Sequence, residues 1–92
     1  EKKLSWTTVD EVRNRTKQAV KKNRILLFHW RGGYLTKEVL KELLVVFDEE
    51  ASVKGKQAYV SVNWPQAVIR VRFEDGAGEE QVEMEDANEG ER

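Results

Sequence analysis

The run Ile25-Leu26-Leu27-Phe28-His29-Trp30, closed by Arg31-Gly32-Gly33-Tyr34, constrains the fold more than any other stretch. Alternation along a strand would send Ile25, Leu27 and His29 one way and Leu26, Phe28 and Trp30 the other. Apolar residues on both sides predict a central strand, buried on both faces. The Gly pair then releases the chain, because glycine admits positive φ and close backbone approach. A chain of 92 residues has room for one small core, and no Cys is present to brace it. The rest of the chain must therefore supply the elements that cover this strand.

Two helical patterns flank it. Over Thr7–Asn23, Val9, Val12, Thr16, Ala19 and Val20 recur at helical spacing. Thr8 followed by Glu11 fits a capping box, with Asp10 and Glu11 in the first turn near the positive end of the dipole. Trp6 is expected to cover one end of the core. Over Thr36–Glu50, Val39, Leu40, Leu43, Leu44 and Phe47 share one side, and Thr36 is the expected N-cap. Asp48, Glu49 and Glu50 oppose the dipole at the far end, where fraying is expected. Residues 52–56 then read as the connecting loop.

The stretches Gln57–Asn63 and Ala67–Phe73 read as a β-hairpin. Pro65 excludes positive φ, which argues against a two-residue primed turn. A four-residue loop, 64–67, pairs Asn63 with Val68. That register sets Val62 opposite Ile69, Val60 opposite Val71 and Ala58 opposite Phe73 on one apolar face. Tyr59 opposite Arg72 and Ser61 opposite Arg70 occupy the other. After the turn signal at 74–78, residues 80–85 alternate weakly, with Val82 and Met84 on one side.

The fold class is therefore α+β, in two layers. Two helices pack on a mixed sheet of three strands, or four if 80–85 adds an edge strand, in the order α-β-α-β-β(-β). Residues 1–73 read as a single compact domain, and 74–92 as an acidic C-terminal segment ending in a flexible tail. The helix between the first two strands permits a parallel crossover.

Charge separates along the chain. Residues 1–72 hold fifteen Lys/Arg and eight Asp/Glu, whereas residues 73–92 hold one Arg and nine Asp/Glu. A formal net charge of −1 conceals a basic body and an acidic segment. That asymmetry points to polyanion contact or an interaction tail. The commonest alternatives are a solvated basic face and a tail that only aids solubility.

Three places invite a functional reading. At His29–Thr36, a strand end, a Gly pair and a helix N-terminus could bring amides and Arg31 to one anion. No glycine-rich nucleotide motif accompanies them, and a plain turn is the favoured explanation of the pair. On the outer hairpin face, Tyr59, Arg70 and Arg72, with Trp64 at the tip, suit stacked bases and phosphates. Cross-strand Tyr–Arg packing would need no ligand. On the first helix, Arg13, Arg15, Lys17 and Lys21 offer phosphate contacts. The acidic segment could compete internally for the basic body or bind a basic partner.

A nucleophilic triad, a metal-ligand set and a cofactor motif are all missing from the pattern, and His29 is the single histidine. The expectation is a small non-enzymatic module that associates with nucleic acid, DNA or RNA, without cofactor or metal. The other reading is an accessory subunit docking on a larger protein complex through Trp6, Trp30, Tyr34 and Trp64. No stretch is long and apolar enough to span a bilayer, and no signal-peptide pattern opens the sequence, so a cytoplasmic location is expected.

Overall fold

The computed structural model describes residues 6–31, 35–74 and 76–85; at 6, 7, 31 and 85 it describes the backbone alone. The elements are α1 (Trp6–Lys22), β1 (Ile25–Arg31), α2 (Lys37–Val53), β2 (Ala58–Asn63), β3 (Val68–Phe73) and β4 (Glu79–Glu85). They form an α+β fold, with two helices on one four-stranded mixed sheet of order β2-β3-β1-β4.

The hairpin register is the one its alternation predicts, with Asn63 opposite Val68 and Ala58 opposite Phe73. Ile69, Val71 and Phe73 thereby join Leu26, Phe28 and Trp30 on the face covered by the helices. From α1 come Val12, Thr16, Ala19 and Val20, and from α2 Val39, Leu43, Val46 and Phe47. Phe28 stacks on Phe47, with ring centroids 5.8 Å apart. The Thr16 hydroxyl donates to the Val12 carbonyl at 2.7 Å, so its burial leaves no donor unpaired.

Three local expectations change. First, α1 begins at Trp6, so Thr8 lies inside the helix rather than at its cap, and no acid occupies the first turn. Second, α2 does not fray at its acids but continues to Val53. Glu50 points into the interface with α1 and accepts from Arg13 at 2.7 Å, which turns an unfavourable helix-end charge into a tie between helices. Third, β1 is central but covered by a helical layer on one side only. Leu27 and His29 are half-buried on the other face, shielded by neighbouring strands. The parallel crossover from β1 through α2 to β2 forms as expected, with β3 lying between the two strands, antiparallel to both.

Thr36 caps α2 as expected, its hydroxyl accepting from the Val39 amide at 3.2 Å. The loop after β3 passes beneath the start of β1. Ala77 N donates to Asn23 O at 2.9 Å, and Ile25 N to Gly78 O at 2.8 Å. Gly78 has φ +79, a conformation that other residues rarely adopt. The loop delivers β4 to the far side of β1, parallel to it and paired from Ile25–Glu79 to Arg31–Glu85. Val82 and Met84 are buried in the same core as the helices. The Gly32-Gly33 junction, Tyr34 and the tail from residue 86 lie outside the described residues.

Candidate nucleic-acid interface

Alternation sends Tyr59, Ser61 and Asn63 of β2, and Val68, Arg70 and Arg72 of β3, to the face opposite the helices. Among the described residues no second layer covers that face. The Arg72 guanidinium lies 4.7 Å from the centre of the Tyr59 ring. Its Nη1 also donates to the Glu74 carbonyl, which fixes the plane of the group. Tyr59 is 46% exposed and Trp64, at the hairpin tip, 52%. A ring held beneath a cation on an open strand offers a π surface with limited freedom left to lose.

The same face turns acidic toward β4. Arg70 Nε is 3.8 Å from Glu79 Oε2, and both side chains are nearly half exposed, so this pair contributes little stability. Gln81, two residues after Glu79 on β4, has its Oε1 2.7 Å from His29 Nε2. His29 is thus a hydrogen-bonded strand residue. Part of the acidic segment is therefore built into the sheet beside the arginines rather than trailing from it. Arg24 reaches the same strand, with Nε 3.6 Å from Glu80 Oε1 and Nη2 3.2 Å from the Glu79 carbonyl.

The cations of α1 lie in the helical layer, on the other side of the sheet from Arg70 and Arg72. Arg13 is engaged by Glu50 at 2.7 Å and Glu49 at 3.1 Å. The hydrogen bond from Glu50 raises its pKa above the ordinary arginine value, and burial opposes that rise. Arg13 is thereby a tie between helices. Arg15 forms an exposed i,i+4 pair with Glu11 at 3.5 Å. Lys17 and Lys21 line an open cleft of about 340 Å³ with Lys54, Glu50 and Val53, where both helices end. From Lys54 the chain turns through Gly55 to Lys56, whose ammonium donates to Asn23 Oδ1, and enters β2 at Ala58. Lys17, Lys21 and Lys54 thus share one cleft where the helices end, and Lys56 lies two residues before the start of β2.

Arg31 ends β1 opposite Glu85, and its side chain lies outside the described residues. Of the four aromatic residues that would make a docking patch, Trp30 is buried in the core. Trp64 is exposed, and the Trp6 and Tyr34 side chains lie outside the described residues. Sequence reasoning passed over Lys54 and Lys56, because a loop of small and basic residues carries no periodicity to place it in space. It also passed over Glu50, whose partner lies 37 positions away.

Comparison of the chain with protein-family models, curated proteins and solved structures returns no match. No helix among the described residues is long and apolar enough to cross a membrane.

Proposed function

We propose that this chain is a non-enzymatic module that binds single-stranded nucleic acid on the open face of the β2–β3 hairpin. Bases stack on Tyr59 and Trp64, and Arg70 and Arg72 meet the phosphates. The observation that carries this reading is the Arg72–Tyr59 pair on a sheet face that no described residue covers, with Trp64 exposed at the hairpin tip five residues further along. Lys17, Lys21, Lys54 and Lys56 add further cations beyond the start of β2. Arg13 and Arg15, occupied by acids, take no part.

The test is fluorescence anisotropy with labelled single-stranded RNA and DNA oligonucleotides across a salt series. Two to five phosphate contacts give a slope of log affinity against log salt of about −1.4 to −3.5. Tyr59→Ala and Trp64→Ala each weaken binding by about 1–3 kcal/mol. A chain ending at Glu85 removes the last acids while keeping β4, and binds more tightly than the full chain. Absent or salt-insensitive binding by that shortened chain overturns the reading. One stoichiometric protein partner retained after nuclease treatment would favour the accessory-subunit reading instead.

A further inference from the structure

We propose that the free edge of β2 is where two copies of this chain join, antiparallel and edge to edge, into one continuous eight-stranded sheet. The inference does not depend on the nucleic-acid reading. It starts from a contrast between the two outer strands. Exposed edges are ordinarily blunted by charge, proline or a bulge, because their unpaired amides and carbonyls otherwise recruit another strand. The outer strand β4 is blunted in this way: Glu79, Glu80, Glu83 and Glu85 would set like charges against one another if it met its own kind. The outer strand β2, Ala58-Tyr59-Val60-Ser61-Val62-Asn63, has no charged residue and no proline. Its six pairs with β3 run without a bulge.

The core also stops short at this edge. Ala58, Val60 and Val62, on the helix side of β2, are only partly buried, and so are Leu40 and Leu44 of α2. Leu40 and Leu44, one turn apart, lie on the opposite flank of α2 from Glu49 and Glu50, which reach across to Arg13. The five side chains therefore form an apolar seam on the side of α2 away from α1. A strand added to β2, bringing its own helix above it, would complete that layer.

Charge selects the arrangement of a second copy. Lys54 and Lys56 precede β2, and the uncharged Asn63 ends it. Antiparallel joining sets each basic end against the other copy's neutral end, whereas parallel joining of two β2 strands would set Lys56 beside Lys56. A two-fold axis normal to the sheet keeps both pairs of helices on one side and closes the assembly. It requires one residue to face its own counterpart, which keeps inward residues opposite inward ones, and Val60 opposite Val60 or Ser61 opposite Ser61, at the middle of the six-residue strand, gives the longest overlap. The two Tyr59–Arg72 pairs then share one open face.

Sedimentation equilibrium from low to high micromolar concentration should give a species of twice the 10.7 kDa chain mass. Ser61→Lys, at an exposed position, should return it to the chain mass while it still unfolds cooperatively. Because the chain has no Cys, Ser61→Cys and Val60→Cys report the register directly. Opposed residues on antiparallel strands lie within disulfide reach. One of the two variants should oxidise to a covalent dimer and the other should not. A monomer at every concentration overturns the proposal. So do open-ended species that grow with concentration, which would mean β2 pairing with the β4 of the next copy. A dimer insensitive to Ser61→Lys and cross-linked by neither cysteine overturns it as well.

Discussion

Replacing Arg13 by Met isolates the tie between the helices. Glu50 Oε2 lies 2.7 Å from the guanidinium, and the Glu50 side chain is only 9% exposed, against 34% for Arg13. Removing one partner of a fully buried ion pair costs about 3–5 kcal/mol, because the other charge is left in a poorly solvated site. Arg13 is a third exposed, so solvent already screens part of the interaction, and a loss of about 1–3 kcal/mol is expected. In a domain of this size that lowers the melting temperature by about 5–20 °C. The reciprocal change, Glu50→Met, leaves Arg13 with Glu49 at 3.1 Å and with water, and should cost about 1 kcal/mol or less. The double variant should be close to Glu50→Met alone, because neither side then carries an abandoned charge. Urea and thermal unfolding of all four proteins measure the cycle. The Glu50 hydrogen bond raises the Arg13 pKa, so the arginine's share of the stability persists below the ordinary arginine value and is lost only at higher pH. The cycle should therefore read the same at neutral and at moderately alkaline pH. If Arg13→Met and Glu50→Met are equally mild, the tie is an ordinary solvated surface pair and the reasoning fails.

Three further outcomes follow from the packing. Phe28→Ala removes a fully buried ring stacked on Phe47 and should cost about 3–5 kcal/mol by urea melts. Thr36→Ala removes the hydroxyl that accepts from Val39 N and should cost about 1 kcal/mol, with helix loss visible by circular dichroism near the melting point. Truncation at Phe73 deletes β4 with the buried Val82 and Met84 and should lose at least about 3–6 kcal/mol. A cooperative, unshifted melt for the chain ending at Phe73 would contradict the place given to β4.

The hairpin was legible to the residue, because period-two alternation and the four-residue loop at Pro65 admit one register that keeps Val60, Val62, Ile69 and Val71 together. The core stripes of both helices were legible for the same reason, periodicity. What failed was whatever depends on a distant partner. Thr8 looked like a cap because Glu11 follows it, but α1 begins at Trp6, two residues before it. Asp48-Glu49-Glu50 looked like a fraying end until Arg13 arrived from another helix. The apolar character of Ile25 and Leu27 implied a second covering layer, yet flanking strands shield them well enough. For the candidate site, Tyr59, Arg70 and Arg72 are placed on one face by the hairpin register alone, and Trp64 marks the far end of the same hairpin. The distance of Arg13 and Arg15 from that face, and the meeting of Lys17, Lys21 and Lys54 in one cleft, follow from layer packing, which no local pattern encodes.

The passage of Ala77 and Gly78 beneath the start of β1 also sets an order of events. The strand at the centre of the sheet is made early in the chain, yet both its neighbours come late; His29 meets Gln81 across a separation of 52 residues. While the chain emerges from a ribosome, α1, β1 and α2 can form local helical contacts, but the most apolar strand has nothing to pair with until β3 and then β4 are released. Long loops must close before those pairings bring any return, which slows the final step. For that interval Leu26, Phe28 and Trp30 stand exposed on an unpaired strand, and the window closes only when the acidic last strand slides into place beside it.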